Sequence, residues 1–274
     1  MEVVTVVLSS LLLLISPVGI VVDQVAENAI RSQLAGAESL DVRIDNGPSY
    51  QILQGKVDKI RIAGRGISPI EGLRFAVAEL ETDPIDLEFA SLRKGEVVLE
   101  EALQGAVHLV LTEADMNAFL ASPFVQTLLA DIEIGSLNAA QSREHDRYKI
   151  ADPTIDFLEG DRLRLSVELE DLVQEGGLMI EAETGLDMTS GDRLILVAPT
   201  LTVNGQVADE RLVNLLLGDF SNRLSLQALE SRGITARVLN LTTAQDSLDL
   251  ALWVRVDPSV TATPIVAAES GPVE

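Results

Sequence analysis

The side chains able to do acid–base or metal chemistry are 43 carboxylates and two histidines, His108 and His145; there is no cysteine. That inventory removes disulfides, thiolate nucleophiles, Cys-ligated zinc and iron–sulfur clusters. Two histidines cannot build a multi-His metal centre. Asp152 and Asp156 form a carboxylate pair that an acid–base mechanism would need, but among so many acids such neighbours arise by chance. His108 reads either as a general base or as a polar strand residue between Val107 and Leu109, and the second reading is the simpler. His145, among Glu144, Asp146 and Arg147, reads as a loop residue. No G-x-S-x-G elbow, phosphate-binding loop, G-x-G-x-x-G, H-E-x-x-H or EF-hand pattern occurs. The expectation is a protein that is not an enzyme, with no catalytic residue, metal site or cofactor.

Charge is more informative. The net charge is −23, which repels phosphate backbones, and aromatics make up only 3% of the chain, so base-stacking platforms are scarce. Nucleic-acid binding is not expected. Against that acidic background, residues 56–65 carry Lys56, Lys59, Arg61 and Arg65 with one acid, Asp58. Lys59 and Arg61 alternate with Ile60 and Ile62, so on a strand they share one face. The functional reading is attraction to an anionic headgroup or membrane surface; the plainer one is a solvated strand face.

These residues need elements to hold them. Residues 3–22 carry no charge, about the length of a membrane span, though serines, Pro17 and Gly19 interrupt the run. The stretch divides into a membrane-seeking segment, residues 1–16, and an amphipathic helix over residues 17–35. On that helix Val18, Val21, Val22, Val25, Ala29 and Ile30 oppose Asp23, Glu27 and Arg31. A single buried core helix throughout is the other reading.

Beyond residue 40 the period changes to two. Val42 and Ile44, Ile60 and Ile62, Leu73 to Val77, Ile85 to Phe89, and Val107 to Leu111 read as half-buried strands. Thr112 with Asp115 three later resembles a capping box, and Ser122-Pro123 divides two short helices. Strands return at Ile155–Phe157, Leu163–Leu169, Leu178–Met188 and Leu194–Val203, the last closed by Asn204-Gly205, a hairpin signal. A helical block after Asp209, a short helix stopped at Gly233 and two final strands, Ile234–Leu241 and Leu248–Val256, complete the domain. Residues 257–274 read as a disordered tail. Strands in consecutive runs, not in βαβ alternation, predict an α+β fold with antiparallel pairing.

The segments Gly55-Lys56-Val57-Asp58-Lys59-Ile60-Arg61-Ile62, Leu111-Thr112-Glu113-Ala114-Asp115-Met116-Asn117 and Arg232-Gly233-Ile234 resemble the LmeA-like phospholipid-binding family of bacteria. Ser16-Pro17-Val18-Gly19 and Val42-Arg43-Ile44-Asp45 look closest to its cyanobacterial branch. The resemblance covers roughly residues 17–256 as a single domain. It implies a phospholipid-binding protein of the cell envelope, on the periplasmic side, with a curved antiparallel sheet wrapped on a long helix as in tubular lipid-binding folds. It carries over no catalytic residue.

An aliphatic-rich, aromatic-poor chain suits an acyl groove. Burying a methylene gains about 0.8 kcal/mol, so a chain of about 16 carbons gains on the order of 12 kcal/mol gross, most of it already available in a bilayer. Candidate lining residues are Val25, Ala29, Ile30, Phe119, Phe124 and Leu128. Candidate headgroup residues are Lys56, Lys59, Arg61 and Arg65. The leading expectation is a non-enzymatic phospholipid binder or carrier, membrane-associated. The alternative is an envelope adaptor with a filled core and a protein partner.

Overall fold

A computed structural model describes residues 27–28, 30–88, 90, 98–130, 148–172, 176–209, 213 and 225–258. The apolar N-terminal segment, Val25, Ala29, His145, nearly all of the block 209–224 and most of the C-terminal tail lie outside the described residues.

The described chain is mostly strand, in two antiparallel sheets. In chain order the strands are β1 (Gly36–Asp45), β2 (Lys56–Val57), β3 (Lys59–Ile70), β4 (Leu73–Thr82), β5 (Ile85–Asp86) and β6 (Leu103–Thr112). Two helices, α1 (Glu113–Leu120) and α2 (Pro123–Ala130), come next. They are followed by β7 (Tyr148–Leu158), β8 (Arg162–Asp171), β9 (Gly177–Thr189), β10 (Arg193–Val203), β11 (Gln206–Val207), β12 (Ile234–Thr243) and β13 (Ser247–Val256). Sheet I runs β1-β3-β4-β6-β13-β12 and sheet II runs β11-β10-β9-β8-β7; β2 and β5 form a separate ladder. Neither large sheet closes on itself.

The expected long helix is not among the described elements. Of the stretch 17–35 only its end is described, where Glu27, Asn28, Ile30 and Arg31 are helical, and α1 and α2 are 8 residues each. Among the described residues the fold is two large antiparallel sheets with short helices. No helix among the described residues is long and apolar enough to cross a membrane.

Period-two patterning sorts sheet I into two faces. Val42 lies opposite Ile62, Ile62 opposite Leu80, Leu80 opposite Val107 and Val107 opposite Leu252. All five are buried in the main core. The alternate residues, Arg43, Arg61, Glu81 and His108 among them, take the solvent face. Three glycines let this sheet pack so closely. Gly66, at φ +56°, reaches the left-handed region, and Ile67 folds back so that a Cβ on Gly64 would meet its Cγ1 at 2.5 Å. At Gly105 a Cβ would stand 2.8 Å from the Glu81 carbonyl oxygen on β4.

Local signals placed the turns. Asn204 and Gly205 both have positive φ, 51° and 75°, as a type I′ hairpin requires. The 3₁₀ segment Leu226–Arg232 ends at Gly233, whose φ of 75° and ψ of 20° is the left-handed cap. β10, although nearly all apolar over Leu194–Val203, lies next to the sheet edge, and Val197 is 43% exposed, resting against the space above Gly185.

Candidate functional site

Sheet II carries an aliphatic face. Register places Ile155 across from Leu165, Leu165 from Ala182, and Ala182 from Leu201. A second row runs Val167, Ile180, Val203, and others run Leu169–Leu178, Leu186–Leu196 and Met188–Leu194. The opposite face holds Arg164, Ser166, Glu168, Glu181 and Glu183, with Arg164 bound to Glu183 at 2.5 Å. A sheet so divided is one that buries a single face. Yet Leu165, Val167, Leu178, Ile180, Leu186, Leu194, Leu196 and Val203 are only half-buried. The compact cluster on this sheet is small: Ile155, Phe157 and Leu163, against Met116, Leu120, Leu186 and Leu248.

Helix α1 fixes this face relative to sheet I, and it does so with the Leu-Thr-Glu-Ala-Asp-Met-Asn segment. The Thr112 hydroxyl caps the helix, accepting from the Asp115 backbone N–H at 3.1 Å and donating to the Asp115 carboxylate at 2.7 Å. Asp115, buried, receives Arg74 Nη1 on both oxygens at 2.9 Å, and Arg74 also reaches Glu38 at 2.8 Å. Glu113 and Asn117, one helical turn apart, face the outer edge of β7. Glu113 accepts from the Phe157 N–H at 2.8 Å. Asn117 accepts from the Ile155 N–H and donates to the Ile155 carbonyl, both at 2.8 Å. Asn117 thus hydrogen-bonds as a neighbouring strand would, and at Ile155 and Phe157 the edge of β7 is closed to pairing with other chains. Met116 and Leu120 face sheet II, while Phe119 enters the core of sheet I.

The β9–β10 turn makes the second attachment. Val238 N–H donates to the Gly191 carbonyl at 2.6 Å and Leu226 N–H to the Asp192 carbonyl at 2.7 Å. The buried Asp192 carboxylate accepts from Gln227 Nε2 at 2.9 Å, with Arg237 3.8 Å away. Both attachments sit at the end of sheet II that holds the β7–β8 and β9–β10 turns.

Of the lining candidates, Ile30 and Phe119 are members of the main core. Phe124 packs on it, with its ring 6.2 Å from that of Phe119 and stacked at 28°. Leu128 is half-buried on α2, which packs beside β7. The structure therefore brings Ile30, Phe119 and Phe124 into one core. The half-covered aliphatic face of sheet II was not singled out from the sequence, although the alternation in residues 163–188 signalled its existence; only pairing reveals that the four strands β7 to β10 present it together.

The basic stretch lies on β2 and β3. Lys56 is paired with Asp86 at 2.9 Å and Lys59 with Glu81 at 2.5 Å. Arg61 bridges Asp45 and Glu81, the latter at 2.9 Å. Hydrogen bonds from Lys59 and Arg61 hold the Glu81 carboxyl below its ordinary pKa. Arg65 is exposed and carries none of these pairs.

His108 stands on the solvent face of sheet I, its Nε2 3.0 Å from Asp249 and its Nδ1 3.3 Å from Glu79. The Asp249 hydrogen bond, with help from Glu79, raises its pKa against the opposing effect of burial. Held between two carboxylates on neighbouring strands, it acts as a cross-strand tie. Asp152 is exposed at a break in the β7–β8 register, whereas Asp156 lies across from Arg164. Among the described residues no group of three or more His, Asp and Glu side chains is placed to hold a metal ion.

Residues 15–252 match a family described as LmeA-like phospholipid-binding. No curated protein and no solved structure matches.

Proposed function

The chain belongs to the LmeA-like phospholipid-binding family, and from that premise we propose that it is a non-enzymatic phospholipid carrier of the cell envelope that lays acyl chains along the aliphatic face of sheet II. The observation that supports this most is the face itself. It spans four strands and is aliphatic apart from Phe157 and Thr184; Leu163, Leu169, Ala182 and Leu201 on it are buried, while Leu165, Val167, Leu178, Ile180, Leu186, Leu194, Leu196 and Val203 stay half-buried. Aliphatic side chains offer acyl chains dispersion contacts without imposing the geometry that aromatic rings demand. Leu128 on α2 is proposed to flank this face at β7, Ile30, Phe119 and Phe124 to support it from the core of sheet I, and Val25 and Ala29 to line it from the amphipathic helix. Headgroup contact falls first to Arg65, because Lys56, Lys59 and Arg61 must each exchange an acidic partner for a phosphate. Residues 1–16 are proposed as the membrane-seeking segment, residues 17–256 as the lipid-binding domain and residues 257–274 as a disordered tail.

The test is native mass spectrometry of the full chain purified without detergent, with lipid extraction. Stoichiometric co-purifying phospholipid supports the carrier reading. A bare mass that stays unchanged after incubation with phospholipid vesicles overturns it and favours an adaptor with a protein partner.

A further inference from the structure

The edge strands of the two large sheets are β1 and β12 in sheet I, β11 and β7 in sheet II. An edge invites pairing with another chain unless something blunts it. β7 is closed by α1 at Ile155 and Phe157. β11 is only 2 residues long. β12 is bulged between Val238 and Asn240, and its Val238 N–H is taken by the Gly191 carbonyl. β1 has none of these devices. Its 10 residues hold one unbroken register on β3, from Gly36 opposite Ser68 to Asp45 opposite Lys59, and contain neither proline nor lysine.

The outer edge of β1 has backbone groups to offer. Ile60 N–H donates to Thr82 Oγ1 on β4 at 3.0 Å, so the even-numbered residues of β3 turn their backbone toward β4 and the odd-numbered ones toward β1. Odd-numbered residues of β1 lie opposite odd-numbered residues of β3 and pair with them, which turns the backbone of Leu40 and Val42 outward. Among the described residues neither has a backbone partner on that side. Both side chains belong to the main core, so the strand is fixed in place up to its edge. Charge also favours this margin. At −23 two copies of the chain repel each other over most of their surface, but β1 and β3 together carry four basic residues against three acidic ones.

We propose that β1 pairs antiparallel with β1 of a second copy about a two-fold axis at Val42, joining the two sheets I into one continuous sheet. Val42 N–H then donates to the Val42 carbonyl of the second copy and the reverse, and Leu40 N–H donates to its Ile44 carbonyl. Ile44 already has a partner within its own chain, so the ladder uses only its carbonyl, whose two lone pairs admit a further bond. On the solvent face Asp41 lies opposite Arg43 of the second copy, and Arg43 opposite its Asp41. Arg43 is 67% exposed and bonds Asp45 through Nε at 2.8 Å, which leaves its terminal nitrogens for the second copy. Asp41 is exposed and forms no ion pair among the described residues. An axis at Asp41 or at Arg43 would set like charges face to face, so Val42 is the centre that the sequence of β1 favours. The same residues complement themselves, which is the mark of an isologous interface and singles out a second copy over an unrelated strand. A bilayer does not fit this edge, because hydrocarbon leaves backbone groups unpaired. One strand pair is smaller than a standard interface of about 1,600 Å², so the dimer is expected to dissociate on dilution.

The test is sedimentation velocity on the full chain, purified without detergent, over a range of concentrations. A monomer–dimer equilibrium is expected. D41R and R43D each place like charges across the axis and are expected to weaken the dimer by about tenfold or more, with unchanged circular dichroism, since both positions are exposed. The double variant D41R/R43D restores opposite charges and is expected to restore the dimer. Because the chain has no cysteine, a second readout is available. D41C mixed with R43C is expected to form a disulfide-linked pair on mild oxidation, because these positions face each other at a closely spaced site of the ladder, while either variant alone does not. A chain that stays monomeric at every concentration overturns the proposal. So does a dimer that both single charge reversals leave intact, which would form through another surface, or a folded double variant that fails to dimerise.

Discussion

Replacing Asn117 by Ala removes the two hydrogen bonds through which α1 holds the edge of β7, and leaves the Ile155 N–H and carbonyl without their partner. A net hydrogen bond contributes about 1 kcal/mol, and a stranded, partly buried backbone group costs about 1–3 kcal/mol. Asn117 is half-buried, so water recovers part of the loss, and the expected cost is about 2–4 kcal/mol. Because the perturbation is local, amide hydrogen exchange at Ile155 reads it directly. At tenfold per 1.4 kcal/mol the Ile155 amide should exchange about 30- to about 700-fold faster, while Leu109 in the core of sheet I keeps its protection. The Phe157 amide, still held by Glu113, should accelerate less. Asn117→Asp separates geometry from charge: the carboxylate still accepts from the Ile155 N–H but opposes the Ile155 carbonyl. Opening should then be large at neutral pH and partly reversed in acid, where the protonated group donates again. An Ile155 exchange rate within threefold of the parent protein in Asn117→Ala would show that the edge is closed by something other than α1.

Other perturbations bear on different parts of the molecule. Gly105→Ala drives a methyl against the Glu81 carbonyl at 2.8 Å and should destabilise by about 1–3 kcal/mol in urea unfolding, because backbone must move to admit it. Asp192→Ala removes the carboxylate that binds Gln227 and faces Arg237 at the second attachment; a loss of about 1.5–3 kcal/mol, with faster exchange at Leu226 and Val238, is expected. His108 has a folded-state pKa above the ordinary 6.5, so its ties to Asp249 and Glu79 contribute fully below pH 6.5, and that stability is lost as pH rises through the raised value. His108→Gln should flatten this fall in a thermal melt series; an unchanged pH profile would remove His108 as its source. Arg65→Gln should weaken binding of short-chain anionic phospholipid more than Lys59→Gln does, since Lys59 is already paired with Glu81; equal effects would count against Arg65 as the first headgroup contact.

How far the sequence carried the reading depends on the range of the interaction concerned. Strands, turns and caps are local, and the alternation of residues 163–169, the Asn204-Gly205 turn, the Thr112 cap and the Gly233 stop all appear as their residue types dictate. The division into two sheets is not local. β6 sits between β4 and β13, pairing Val107 with Leu252, and no window of sequence contains that contact. The same gap explains the basic stretch. Lys59 and Arg61 look like an open positive face until β1 and β4 bring Asp45 and Glu81 alongside. The family motif was recognisable by its residues, but that Glu113 and Asn117 would substitute for a missing strand depends on where β7 ends up. Nothing in the helical spacing of α1 indicates a strand edge 38 residues later.

The placement of the two attachments has a mechanical consequence. Asn117 with Ile155, and Gly191 with Val238, tie sheet II to the rest of the molecule at the end that holds the β7–β8 and β9–β10 turns. Among the described residues the angle between the two sheets is therefore set at that end, as a lever is set at its pivot. A small change in the seat of α1 or of the β9–β10 turn becomes its largest displacement at Asn204 and Val207, the positions farthest along the strands from both ties.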